Sequence, residues 1–303
     1  MNLFNLVRWK NLLLIALIQF LIRFALFEPF EIDLALNLFN FFLLVTASLS
    51  IAAAGNIIND IYDVETDSIN KPEKVLIGTT ISEKLAYNLY FVLNIIGVGI
   101  GFYLSYKTGK NSYFPIFVLI SASLYVYSSY LKQAPFIGNI IISVLVATSI
   151  LIVGIFDLLP VMTPENKSTQ KLFFDILFDY AIFAFLVNLV REMIKDIEDV
   201  NGDYKAQMNT LPIIFGRERA KQMAFTVSFF PLAAIIYFIV TYLYKQQIAV
   251  GYFLVFVLAP MLYATIKIFG AKTKIHFSHI STTYKVVMLF GMLSLLLYPF
   301  ILK

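Results

Sequence analysis

LFNFFLLVTASLSIAAAGNIINDIYDVETD, residues 38–67, is the stretch that decides the fold. Residues 38–58 carry no charged side chain. About 20 such residues, as a helix, cross the hydrocarbon core of a bilayer. The run then ends abruptly in Asn59-Asp60-Ile61-Tyr62-Asp63-Val64-Glu65-Thr66-Asp67. A membrane span that exits into carboxylates is the reading of this segment, and the rest of the chain repeats its design. Apolar stretches, each closed by charge or turn residues, lie near 11–27, 37–58, 85–106, 114–131, 137–156, 175–194, 222–243, 249–267 and 285–302. The expected fold is an all-α membrane protein of nine transmembrane helices, with residues 1–303 forming a single integral-membrane domain.

Composition agrees. The chain is 60% hydrophobic and 14% charged, with mean hydropathy +0.81, whereas soluble domains are nearer a quarter charged. That excludes a soluble enzyme, a disordered chain and a nucleic-acid binder. The absence of Cys removes disulfides, thiolate metal sites and a Cys nucleophile. His276 and His279, the only two histidines, sit in a basic loop with Lys272 and Lys274 and read as a surface segment. The first stretch follows Arg8, Trp9 and Lys10 but lacks a small-residue cleavage site, so it reads as a retained helix. Most of the 23 Lys and Arg fall in connections on the N-terminal side. Lys107, Lys110, Lys167, Lys171, Lys245 and Lys303 fall on the other. The N-terminal side is therefore expected to be cytoplasmic.

A second acidic exit follows the sixth stretch: Lys195-Asp196-Ile197-Glu198-Asp199-Val200-Asn201-Gly202-Asp203. Aligned with the first, it shares the pattern x-Asp-Ile-x-Asp-Val-x-x-Asp. Asp60, Asp63 and Asp67 are spaced i, i+3, i+7, and so are Asp196, Asp199 and Asp203. At about 100° per residue these positions share one narrow helix face. Asn59 extends it as an i, i+4, i+8 stripe with Asp63 and Asp67, while Glu65 and Glu198 point elsewhere. Stacked carboxylates repel and call for a counter-charge, and hard divalent cations prefer such oxygen ligands. Both motifs follow even-numbered spans, which predicts a common cytoplasmic surface where paired carboxylate clusters with Mg²⁺ would hold a diphosphate. A calcium loop is excluded because Ser68 stands where Gly is needed and Lys74 where a bidentate Glu is needed.

Asn59-x-x-x-Asp63-x-x-x-Asp67 and Asp199-x-x-x-Asp203 on a nine-helix chain resemble the UbiA superfamily of intramembrane prenyltransferases. The flanks Arg8-x-x-Asn11, Asn70-Lys71-Pro72 and Thr210-Leu211-Pro212 resemble it too. The resemblance implies a U-shaped bundle around a central cavity, two Mg²⁺ ions bridging the motifs and a cleft open sideways to lipid. It also implies Mg²⁺-dependent transfer of a prenyl group, here geranylgeranyl, from a prenyl diphosphate through an allylic carbocation. Lys71, Lys74 and Val75 depart from the family, many of whose members have Arg and a second Pro there. Lys132-x-x-Pro135-x-x-Gly138-Asn139 and Arg191-Glu-x-x-Lys195-Asp196 resemble the digeranylgeranylglyceryl phosphate synthase branch, whose acceptor is geranylgeranylglyceryl phosphate.

Six metal ligands are thus expected: Asp60, Asp63, Asp67, Asp196, Asp199 and Asp203. Arg191 and Lys195, i and i+4, are placed to neutralise diphosphate oxygens as charge develops on the leaving group, although a positive-inside flank has the same composition. The resemblance adds Lys132 as a substrate-contacting lysine, with Tyr127, Asn139, Asn11 and Asn59 as substrate-binding positions. Membrane lipid surrounds the protein, and the acceptor is a lipid or an aromatic acid. Two alternatives are an aromatic prenyltransferase of quinone biosynthesis and, from another class, an ion-coupled transporter. The transporter reading expects acids at mid-membrane on broken helices, and here they stand at span ends.

Overall fold

The computed structural model describes residues 2–301. Lys303 and the last position of the stretch 285–302 lie outside the described residues. Among the described residues nine helices are long and apolar enough to cross a membrane: Trp9–Phe30, Leu38–Tyr62, Glu83–Lys107, Asn111–Ser129, Ile137–Val161, Lys167–Lys205, Arg217–Leu243, Gln247–Gly270 and Lys274–Phe300. Among them there is no strand, only an isolated bridge between Ile77 and Ile81. The protein is an all-α integral membrane protein.

Helix starts have local causes. The Asn37 side chain accepts from the Asn40 N–H at 2.9 Å, opening the second span. Ser82 accepts from Leu85 N–H to open the third, and Thr273 from His276 N–H to open the ninth. The sixth span is 39 residues long and overruns the apolar stretch 175–194 at both ends. It starts already at Lys167, and at its other end the acidic continuation stays helical through Lys205. The first span widens into a π-helical turn at Ile22–Phe27, where Arg23 pairs with Glu28 at 3.2 Å. That pairing accounts for a charge inside an apolar helix.

The chain forms two compact units. One takes the chain up to Phe20 with Ile32–Lys132 and Ser149–Leu177. There the second span packs on the third and fourth. A Cβ at Gly97 would lie 2.5 Å from Ile51 Cγ1 and 3.0 Å from the Ala47 carbonyl oxygen, so only glycine admits this approach of two spans. Gln19, fully buried, donates to Ser48 Oγ at 3.0 Å and to the Ser149 carbonyl at 3.1 Å, tying polar groups together within the apolar interior.

The other unit takes Leu21–Glu31, Gln133–Thr148 and the chain from Phe178 onward. Its core gathers Val187, Val190, Met193, Ile194 and Ile197 of the sixth span with Leu232, Val257, Ile268 and Tyr284. Tyr284, fully buried, bonds Thr265 Oγ1 at 3.0 Å. The face of the sixth span that enters this core is apolar, which turns its carboxylate face away from the core.

Candidate active site: two acidic motifs

The first motif sits at a break in the helix rather than on one continuous face. The second span ends at Tyr62, Asp63 has φ −92° and ψ 0°, and a short helix runs Val64–Asn70. Backbone bonds bridge the break, from Asp63 N–H to Asn59 O at 2.9 Å and from Asp67 N–H to Asp63 O at 2.8 Å. Asp67 therefore still follows Asp63 by one turn, as the spacing requires. The continuous helix expected across this motif is corrected here to two helices joined at Asp63.

Asp63 is 4% exposed. Its Oδ2 accepts from Asn59 Nδ2 at 2.6 Å and from the Lys132 ammonium. Its Oδ1 is buried with no hydrogen-bond donor. Asp60 meets Arg8, with Nη2 to Oδ1 at 2.5 Å. Burial, and then the neighbouring Asp63 carboxylate, push the Asp67 pKa above the ordinary carboxylate range. Glu65 is exposed, as its position off the face predicts. Asn11 stands one turn after Arg8, its N–H bonded to the Arg8 carbonyl at 2.8 Å. Tyr127, half-buried, lies on the last turn of the fourth span.

The second motif stays on one uninterrupted helix, the sixth span. Asp196 Oδ2 accepts from Asn139 Nδ2 at 2.9 Å. Asp203, 6% exposed, accepts from Thr210 Oγ1 at 3.1 Å. Asn139 belongs to a polar ladder on the fifth span: its carbonyl accepts from Ser143 Oγ at 2.6 Å, and Ser143 Oγ accepts from Asn188 Nδ2 at 3.2 Å. Arg191 and Lys195 turn to Glu192, with Arg191 Nη1 to Oε1 at 2.5 Å and Lys195 Nζ to Oε2 at 2.9 Å.

Among the described residues no three His, Asp or Glu side chains converge into a ready-made metal centre. A divalent cation nonetheless fits the donor set. The motifs offer hard carboxylate oxygens, and Asp63 Oδ1, buried and without a donor, is an acceptor in need of a cation.

The profile of the UbiA prenyltransferase family matches residues 16–275. The chain belongs to this family. It is 34% identical over 201 residues to a digeranylgeranylglyceryl phosphate synthase of Thermococcus gammatolerans, covering 66% of this chain and 64% of that one. It is 29% identical over 249 residues to the corresponding synthase of Korarchaeum cryptofilum, covering 82% and 81%. Of the Thermococcus relative the chain thus spans less than two thirds of the length. A solved structure concerned with digeranylgeranylglyceryl phosphate synthase in membranes shares the fold at TM-score 0.62 and 23% identity, covering 97% of this chain and 98% of that chain. A UbiA homologue from Archaeoglobus fulgidus bound to GPP and Mg²⁺ shares it at TM-score 0.58 and 16% identity, covering 97% and 99%.

In this UbiA chain the structure brings Asn59 and Lys132 to Asp63, and Asn139 to Asp196. It takes Arg191 and Lys195 to Glu192 instead of to an aspartate. Arg8, Glu192 and Thr210 were not among the expected site residues. Glu192 had a readable signal, since it precedes Asp196 by four and so shares its face. Arg8 had none beyond the family flank, because 52 residues separate it from Asp60.

Proposed function

We propose that this chain transfers a geranylgeranyl group from its diphosphate to geranylgeranylglyceryl phosphate. Residues 1–303 act as one integral-membrane prenyltransferase domain in this reading. The observation that carries it is the repeated acidic motif, each copy provided with its own basic residues, in a chain of the UbiA family. Relatives bearing the synthase name support the choice of acceptor. Asp63 and Asp67 with Asp60 would hold Mg²⁺ in the one unit, and Asp199 and Asp203 with Asp196 would hold it in the other, each as hard oxygen donors.

When bound, the metal neutralises the departing diphosphate. The residues of the chain do the rest. Asn59 orients Asp63. Lys132, Arg191 and Lys195 supply positive charge where the leaving oxygens become more negative, which is where such charge lowers the barrier. Asn11, Tyr127 and Asn139 line the substrate positions, with Asn139 also fixing the rotamer of Asp196. Attack by an alcohol on an allylic cation needs little base, and the released diphosphate accepts the proton. Two phosphate-bearing substrates also suit the abundance of cations near the motifs: Lys71, Lys74, Lys132, Arg191 and Lys195.

The test is turnover by purified protein with Mg²⁺, geranylgeranyl diphosphate and competing acceptors. Prenylation of geranylgeranylglyceryl phosphate is expected. Prenylation of an aromatic acid with that lipid ignored would move the chain to the aromatic branch, and no diphosphate release from any prenyl donor would end the transferase reading. The motifs are proposed to face the cytoplasm. Single cysteines at Ser68 and Gln207 should then be labelled from the cytoplasmic side, and one at Asn166 from the other.

A further inference from the structure

Glu192 precedes Asp196 by one turn. At about 100° per residue it falls on the same face as Asp196, Asp199 and Asp203, so it extends the acidic stripe deeper into apolar sequence. Its side chain is only 9% exposed, and each of its oxygens holds one cation: Oε1 takes Arg191 at 2.5 Å and Oε2 takes Lys195 at 2.9 Å. A different pairing is available on the same helix. Lys195 has Asp199 at i+4, a spacing at which opposite charges meet, and Asp196 is its immediate neighbour. Lys195 instead reaches back toward the helix N-terminus. A lysine on Asp199 would occupy an oxygen that a divalent cation needs, and the metal would have to displace it.

We propose that Glu192 is a positioning residue that holds Lys195 off Asp196 and Asp199, so that these carboxylates meet the metal without competition from the lysine nearest them in sequence. The inference rests on the reading of the second motif as metal ligands. It goes beyond that reading by giving a carboxylate outside the motif control of metal affinity.

Glu192→Gln keeps the shape and releases both cations. The readout is Mn²⁺ binding to the purified protein by calorimetry, with no substrate present. E192Q should weaken binding about fivefold, the scale of one new partly buried ion pair to be displaced. Glu198→Gln removes the same unit of charge from the same helix but frees no cation, and should leave binding within about twofold, as expected of a half-buried charge with no ion pair among the described residues. The double variant E192Q/K195Q should recover affinity toward the wild-type value, because the competing ammonium is gone. Glu192→Asp, which keeps the charge but shortens the reach, should fall between E192Q and wild type, and serves as the probe if Gln is not tolerated.

Wild-type affinity in E192Q, a loss no larger than in E198Q, or no recovery in the double variant would each overturn the proposal. Wild-type protein that binds no Mn²⁺ would overturn the metal reading itself, and this proposal with it.

Discussion

Asp63 in the first motif meets a lysine; Asp196 in the second meets an asparagine. The two motifs share a spacing, yet their charge is balanced in different ways. In the first, cations come from distant parts of the chain, Arg8 to Asp60 and Lys132 to Asp63. In the second, Asn139 donates to Asp196 and Thr210 donates to Asp203. The cations of that helix are drawn to Glu192. Four residues before Asp60, where the second motif has Glu192, the first has Asn56, which bonds the Val7 carbonyl at 2.9 Å. A repeated motif thus need not be a repeated electrostatic site. One copy pairs with cations from distant segments, while the cations beside the other pair with Glu192 on their own helix.

The strongest way to break this comparison is to remove one carboxylate from each motif. Asp63→Asn and Asp199→Asn should each lower kcat by about 10²–10³-fold or more, as loss of a group stabilising developing charge does, while both proteins still fold. Equal losses would mean that both motifs serve the same step. A large loss in only one would assign the chemistry to that unit.

The next test sharpens the difference in charge balance. Lys132→Met leaves the buried Asp63 carboxylate with only its Asn59 donor and should destabilise the metal-free protein by about 3 kcal/mol, the low end for breaking a buried pair because the ammonium is partly exposed. Asn139→Ala removes one amide donor from Asp196 and should cost about 1–2 kcal/mol. Thermal unfolding in EDTA measures both. Equal effects would show that the ammonium and the amide do the same work.

A smaller effect comes from Asp67. Its folded pKa lies above the unfolded value, so the native state is favoured in acid, and that advantage is lost as pH rises through the folded pKa. Asp67→Asn should therefore raise the metal-free melting temperature at neutral pH and flatten its fall with rising pH, while removing stabilisation by added Mg²⁺. A lower melting temperature in EDTA would show that Asp67 has a stabilising partner outweighing its burial. The smallest effects are expected from Glu65→Gln and Glu198→Gln, which lie off the carboxylate face. Activity within about threefold of wild type is the expectation for an exposed Glu65 and a half-buried Glu198 off that face, and a severe loss in either would break the shared-face reading.

Much of this was legible in local sequence. Uncharged runs mark spans because charge in hydrocarbon is unfavourable, and the i, i+3, i+7 aspartates mark a face because helix geometry is local. On the sixth span that arithmetic holds along the whole motif. At Asp63 it meets a break that no Pro or Gly announces: Tyr62, Asp63 and Val64 are ordinary helix residues. The backbone leaves helical angles there while Asp63 itself is held by Asn59 and Lys132. The length of the sixth span was understated for a related reason. Hydropathy stops at residue 194, but the helix continues because Ile197 is still packed in the core.

By itself the sequence determined the class of protein, its spans and which carboxylates share a face, because hydrophobic transfer and helical periodicity act over one segment at a time. Only the tertiary structure decided which cation each carboxylate takes. Arg8 reaches Asp60 across 52 residues and Lys132 reaches Asp63 across 69. Lys195 takes Glu192, three residues back, over Asp199, four residues on, along its own helix. A buried charge accepts whichever partner the packing brings within hydrogen-bond reach, and that is a property of the folded chain.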